Sequence, residues 1–322
     1  MKRIAVMTSG GDSPGMNAAI RAVVRTSMEH GIEVYGIRQA YLGLMSGDFN
    51  QLTSVEVSGI LQRGGTILQT ARNEEFKTPA GQMRALRRLN EHRIEGLVVI
   101  GGNGSLTGAL ALHKHGFPVI GIPGSIDNDI NGTDMSIGVD TALNTILDAL
   151  DRLRDTATSH QRAFLIEVMG RNCGYLALMG AILGGAEIVI TPEREVPMEE
   201  VEKALEDAYV RGKSHAIAVI AEGAHYSATA LTDHLNKNPN IGFEIRLTIL
   251  GHTQRGGSPS AFDRLLATRM GVHAIRFLQE GQTGVMTALQ GRKIVPLPLE
   301  EAISQLRPIS DGYFEMARYL AR

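Results

Sequence analysis

Two carboxylates and a hydroxyl fall within five residues in Ser125-Ile126-Asp127-Asn128-Asp129, just after the apolar run 118–122. A carboxylate placed beside an alcohol can take its proton while the oxygen attacks an electrophile. If the electrophile is a phosphoryl group, cations must also neutralise the charge that moves. Arg171, just past the apolar run 164–169, is one such cation. On its own, an Asp-Asn-Asp triplet also forms turns and caps helices, and a lone arginine is usually a solvated surface charge.

Other segments could hold the anions this chemistry needs. Gly10-Gly11-Asp12-Ser13-Pro14-Gly15 follows the run 4–8 and opens a helical pattern. Asp12 or Ser13 is expected to cap that helix, with Pro14 in its first turn. Free amides at such a start receive phosphate oxygens, and glycine allows close approach. It is not a Walker A loop, because Met16-Asn17 stand where Lys-Ser/Thr would follow. Gly101-Gly102-Asn103-Gly104-Ser105 repeats the arrangement, with Gly108 one turn on. Its glycine spacing departs from the dinucleotide fingerprint, and no acidic residue ends a following strand in the right place. Arg246, His252 and Arg255 lie near Gly256-Gly257 and Ser258-Pro259, which break the chain. His252 and Arg255 are therefore expected on a loop, able to face one anion. Glu222, before Gly223, can accept hydrogen bonds from sugar hydroxyls or cap a turn.

These residues need a scaffold, and the apolar runs supply one. The runs 4–8, 96–100, 118–122, 164–169, 188–191, 217–221 and 247–250 alternate with helical patterns at 16–30, 83–92, 141–156, 198–211 and 261–280. That alternation predicts an α/β fold with buried parallel strands. Nearly every run ends in a glycine-rich or charged loop, and ligands of open α/β sheets lie beyond the carboxyl ends of the strands. One such loop is an ordinary turn; six together predict a cleft.

With 322 residues, 43% hydrophobic and 20% charged, the chain can form two compact units. A net charge of −2 gives no broad field for nucleic acid or a membrane surface. A single cysteine, Cys173, excludes an internal disulfide and a cysteine metal cluster, and reads as a small core residue in a reducing compartment. No stretch reaches the roughly 18 apolar residues of a membrane span. The chain is expected to be soluble and cytoplasmic rather than secreted.

The segments TSGGDSPGMNAAIRAVVR, QRGGTILQTAR, PGSIDNDINGTD, RLRDTATSHQR, EVMGRNCG and GHTQRGGSP together resemble the bacterial ATP-dependent 6-phosphofructokinases, in that family's order and spacing. The resemblance covers the whole chain. It implies two αβα three-layer domains with mostly parallel sheets, a large nucleotide-binding domain at 1–138 plus 254–304 and a smaller sugar-phosphate domain at 139–253 plus 305–322. It also implies a homotetramer, with the active site between the domains and completed by a neighbouring subunit. The implied reaction moves the γ-phosphoryl group of ATP, with Mg2+, to the C1 hydroxyl of fructose 6-phosphate.

Carried over by position, Asp127 is the general base, Arg171 stabilises the transferring group, and Ser125 keeps the hydroxyl of the family's usual threonine. Gly11, Arg72, Asn73, Gly102, Asn103, Gly104, Ser105 and Gly108 would serve ATP. Ser125, Ile126, Met169, Gly170 and Glu222 would border the sugar. His252 and Arg255 would bind its 6-phosphate, joined by Arg162 and Arg246 of an adjacent subunit.

Two departures stand out. Asn103 occupies the position of the family's magnesium-serving aspartate. The implied site for an ADP or phosphoenolpyruvate effector keeps Arg21, Arg25, Arg154, Gly185, Glu187, Arg211, Lys213 and His215, but Ser54, Gly59 and Ser214 replace Arg, Asp and Lys. Asn103 motivates one alternative, a low-activity regulatory paralogue. A pyrophosphate-dependent enzyme is another, opposed by Gly104 and Gly124, where that branch typically carries Asp and Lys.

Overall fold

The computed structural model describes residues 1–321. In chain order the elements run β1 (Arg3–Ser9), α1 (Met16–Glu29), β2 (Glu33–Ile37), α2 (Ala40–Ser46), β3 (Phe49–Leu52), α3 (Pro79–Glu91), β4 (Gly96–Gly101), α4 (Asn103–Lys114) and β5 (Val119–Pro123). There follow α5 (Val139–His160), β6 (Arg162–Val168), α6 (Tyr175–Gly184), β7 (Ile188–Ile190), α7 (Met198–Val210), β8 (Ala216–Ala221), α8 (Ala228–Leu235) and β9 (Glu244–Ile249). The last are α9 (Ala261–Gln279), β10 (Val285–Gln290), β11 (Lys293–Pro298), α10 (Leu299–Ala302) and α11 (Asp311–Leu320). The chain divides into two compact units: Met1–Thr141 with Arg255–Arg307, and Ala142–Gln254 with Pro308–Arg322. Arg322, the end of the expected second domain, lies outside the described residues.

The first unit is built on a seven-stranded sheet of order β11-β10-β5-β4-β1-β2-β3. Its central strands are parallel, while β3 and β11 close the edges antiparallel. β4, GLVVIG, is buried at every residue, as a strand covered on both faces must be. Ile20, Val23 and Val24 of α1 recur at helical spacing and pack with Leu266, Met270 and Ile275 of α9 on one face. Leu44, Leu89, Leu106, Leu112 and Leu299 cover the other. Asp263 of α9, fully buried, accepts the amides of Gly138 at 2.9 Å and Thr141 at 2.8 Å. Burial pushes its carboxyl pKa up, against the downward pull of those bonds.

The first glycine loop departs from expectation. α1 starts at Met16 with Gly15 as its cap in the left-handed region, φ 109°, and no side chain caps it. Asp12 and Ser13 do not take that role. Met16 N donates to Ser13 O at 3.2 Å, so Ser13-Pro14-Gly15-Met16 closes a turn with proline second and a positive-φ glycine third, the type II preference. The turn uses the residues that a helix cap would need.

The second unit has an all-parallel sheet, β7-β8-β6-β9. Val201, Leu205 and Ala208 of α7 and Leu231 and Leu235 of α8 cover one face with Ala218 and Ile220. α6, on β7 and β8, packs against α5 where Gly180 and Gly184 receive Ile146 and Leu150. Cys173 is buried.

Candidate active site

In the first unit β5, β4 and β1 are neighbours and run the same way, so the loops that follow them share one sheet end. Gly10 approaches Ser105 Oγ, and Gly102 approaches Ser125. Three loops read separately in the sequence therefore meet.

The Ser125–Asp129 loop is held from below by Asn128, which is buried and left-handed at φ 52°. Asparagine tolerates that conformation. Its Oδ1 accepts Ser136 N at 3.1 Å, its Nδ2 donates to Asp134 O at 3.3 Å, and Ser136 Oγ donates to Ser125 O at 2.7 Å. Asp127 and Asp129 flank this anchor and are both half-buried. Asp129 accepts Ser125 Oγ on one oxygen and Asn103 Nδ2 on the other, each at 3.0 Å.

Asn103 opens α4, after the cap residue Gly102, and the first turn of that helix holds no acidic residue. Its amide end attracts anions, and no carboxylate of its own first turn opposes that pull. Asn103 Oδ1 is buried without a hydrogen-bond partner, beside the Asp129 carboxylate. Oxygen donors of this kind suit magnesium, so the residues fit the implied ion in type. Among the described residues no cluster of three or more His, Cys, Asp or Glu forms a ready-made metal cage.

The remaining nucleotide candidates have distinct surroundings. A Cβ at Gly104 would meet nothing within 4 Å, whereas one at Gly108 would lie 2.5 Å from Tyr41. Gly108 thus makes room for Tyr41, whose hydroxyl donates to Ser105 O at 2.6 Å and whose ring stacks on Phe76. Burial pushes the Tyr41 pKa up. Asn73 accepts Phe76 N at 2.9 Å, and Arg72 is exposed. Buried Asn17 shapes the preceding segment, donating to Arg63 O and Gly64 O and accepting Ile67 N. Arg255 lies across the first loop: Nη1 donates to Asp12 O at 3.2 Å, and a Cβ at Gly11 would stand 2.5 Å from it.

In the second unit β8, β6 and β9 are likewise adjacent and parallel. Glu222 N donates to Val168 O and Gly223 N to Gly170 O, joining the β8 end to Met169-Gly170-Arg171. Arg171 and Glu222 are exposed, and Met169 is buried. Fully buried Gln254 accepts Met169 N at 3.2 Å and donates to Gly251 O at 3.0 Å. His252 sits exposed on the 3-10 turn Gly251–Arg255 that this bridge holds, rather than on a free loop. Arg162 and Arg246 flank Glu244, and both bond to it.

Five of the expected effector residues cluster in this unit. Lys213 Nζ donates to Glu187 at 3.0 Å, Glu187 accepts Ile217 N, and Arg154 donates to Gly184 O beside Gly185. His215 Nδ1 lies 3.1 Å from Thr158 Oγ1. Burial holds its imidazole pKa below the ordinary value, while Glu187 draws it up. Arg211 is exposed. Arg21 and Arg25 belong to the first unit, four residues apart on α1, and so on one helix face.

Sequence reading missed Tyr41, Asn128, Gln254 and Glu244. Only Asn128 carried a local signal, as an asparagine inside a turn-forming triplet.

A mostly parallel sheet and an all-parallel one, with the paired carboxylates of the Ser125–Asp129 loop beyond β5 beside the acid-free first turn of α4, make a scaffold suited to phosphoryl transfer, and the phosphofructokinase family profile matches residues 3–278. The chain belongs to the phosphofructokinase family. It is 54% identical over 322 residues to an ATP-dependent 6-phosphofructokinase of Thermotoga neapolitana, with both chains covered completely. It is 50% identical over 321 residues, again at full coverage, to the enzyme of that name from Halalkalibacterium halodurans. Among solved structures, phosphofructokinase from Saccharomyces cerevisiae superposes with a TM-score of 0.88 at 37% identity, covering 100% of this chain and 48% of the longer yeast chain.

Proposed function

We propose that this protein is an ATP-dependent 6-phosphofructokinase, transferring the γ-phosphoryl group of ATP to the C1 hydroxyl of fructose 6-phosphate. The observation that carries the reading is the Ser125–Asp129 loop at the end of β5, fixed by Asn128 next to the acid-free start of α4. A proton acceptor and an anion-binding helix end thus lie on neighbouring strands.

Asp127 takes the C1 hydroxyl proton as the oxygen forms its bond to the γ-phosphorus. The bridging bond to the β-phosphate breaks, and ADP leaves. The amides of 102–105 and Gly11, with Arg72, hold the ATP phosphates. Arg171 meets charge developing on the transferred group, and such electrostatic positioning is most of what phosphoryl transfer requires. Magnesium, when bound with ATP, neutralises phosphate charge; Asn103 Oδ1 and Asp129 are the groups of this chain that would face it. Met169, Gly170 and Glu222 border the sugar. His252, Arg255, Arg162 and Arg246 answer its 6-phosphate, the last two reaching an adjacent protomer of a homotetramer. The Arg154, Gly185, Glu187, Lys213 and His215 cluster, with Arg21, Arg25 and Arg211, would receive an ADP or phosphoenolpyruvate effector. Among the described residues no helix is long and apolar enough to cross a membrane; the proposed location, the cytoplasm, follows from the glycolytic reaction assigned above.

Steady-state kinetics with ATP and pyrophosphate as rival donors tests the reading. ATP-supported formation of fructose 1,6-bisphosphate, absent with pyrophosphate, is expected; equal turnover with both would overturn the donor assignment. The Asn103–Asp129 hydrogen bond favours one second reading, a regulatory paralogue that binds both ligands and turns over slowly.

A further inference from the structure

The two arginines assigned to the sugar phosphate are joined by Glu244. In the parallel pair β6 and β9, Arg162 stands opposite Glu244, and Arg246 follows two residues later. Side chains two apart on a strand share a face, and Phe243 and Ile245 turn into the core on the other. Arg162 Nε donates to Glu244 Oε2 at 2.6 Å, while Arg246 Nη2 donates to Oε1. Each carboxylate oxygen thus holds a different guanidinium. Among the described residues no other protein group takes the terminal nitrogens of Arg162.

We propose that Glu244 is a positioning residue, a shared counter-charge that aligns Arg162 and Arg246 so that their remaining N–H groups meet the phosphate of the sugar together. The proposal rests on the reading that those arginines bind that phosphate.

Two long cations on adjacent strands repel, and each has large rotamer entropy to lose on binding. A carboxylate between them removes the repulsion and loses that entropy in advance, which is how pre-organisation raises affinity. It leaves the pair one net positive charge and several donors in the planar geometry that recognises phosphate. Glu244 is half-exposed, where ion pairs contribute little to folding. Its effect should therefore fall on ligand binding. Hydrogen bonding from Arg162 foremost holds its carboxyl pKa below the usual value, so the counter-charge persists at neutral pH.

The experiment is kinetics of purified Glu244→Gln, Glu244→Asp, Arg246→Ala and Arg162→Ala/Arg246→Ala proteins, with and without the glutamine change, alongside thermal melts. Glu244→Gln should raise the fructose 6-phosphate KM about tenfold, the scale of coupling inside one ion-pair network. Its kcat, ATP KM and melting temperature should stay close to the parent's. Glu244→Asp should recover part of the affinity, and Glu244→Gln should add nothing once both arginines are absent. An unchanged or lower sugar KM for Glu244→Gln, while Arg246→Ala raises it, would overturn the inference alone. So would an equal Glu244→Gln effect in the arginine-free background, or a parallel loss in ATP KM. If removing both arginines left the sugar KM unchanged, the phosphate assignment itself would fall, and the inference with it.

Discussion

Asn103 donates its side-chain amide to Asp129 at 3.0 Å, so an uncharged residue holds the carboxylate nearest the start of α4. Ser125 occupies the other Asp129 oxygen, and both are thus tied to neutral donors. Asn103→Asp would set two carboxylates at that separation. Without metal they repel, and the melting temperature should fall by a few degrees in chelator. Magnesium should restore it. With magnesium and ATP, kcat should rise roughly tenfold, equivalent to about 1.4 kcal/mol of transition-state stabilisation, and half-maximal rate should need less magnesium. Superimposable magnesium titrations and melts for the two forms would reject the charge argument and leave Asn103 fully competent.

The proposed role of Asp127 is that of the general base, which is not asked of Asp129. Asp127→Ala should lower kcat by a factor on the order of 10²–10⁴, the scale for loss of a positioned base, with a smaller change in the fructose 6-phosphate KM. A kcat within about threefold of the parent, against that scale for a general base, would assign the proton to another group.

The scaffold was largely legible in the sequence, and the reason is periodicity. β1, β4, β5, β6 and β8 are apolar runs buried along their length, each closed by a glycine or charged loop, so strand ends and candidate ligands were marked by the same residues. The edge strands of the seven-stranded sheet carried no such mark. β3 reads FNQL with only Leu52 buried, and β11 is interrupted by Pro296. Gln254 and Tyr41 were invisible for another reason. Each acts through backbone atoms more than 60 residues away, a relationship no local spacing encodes. The cap assigned to Asp12 or Ser13 failed because Pro14-Gly15 favours a turn that uses the same residues.

Asn128 tests whether the loop needs its anchor. Asn128→Ala removes bonds to Ser136 and Asp134 and places alanine at φ 52°. Lost buried hydrogen bonds and left-handed strain together should cost about 2–4 kcal/mol. Asn128→Gly, which bears no conformational strain, should be the less destabilised in melts. Both should lose kcat, because Asp127 and Asp129 hang from the same turn. Parent-like turnover in a folded Asn128→Ala protein would show that the loop holds its shape without the anchor.

Gly104 separates the two phosphoryl donors. A Cβ there would meet no protein atom within 4 Å, so Gly104→Asp should fold with an unchanged melt. The space beside this second residue of α4 is where the nucleotide beyond the transferred group would lie. A carboxylate filling it would oppose ATP by bulk and by repulsion from the phosphates, and would blunt the attraction of the helix end. The ATP KM should therefore rise by about tenfold or more, the scale of one misplaced charge near a phosphate. The fructose 6-phosphate KM should change little, because its proposed contacts lie on other loops. Pyrophosphate, which lacks the nucleoside, would escape the steric part of this penalty but not the electrostatic part. Titrating both donors against the parent and Gly104→Asp proteins decides the matter: an ATP KM that does not move would mean that the nucleotide takes another path from α4, and the donor assignment would lose its structural basis.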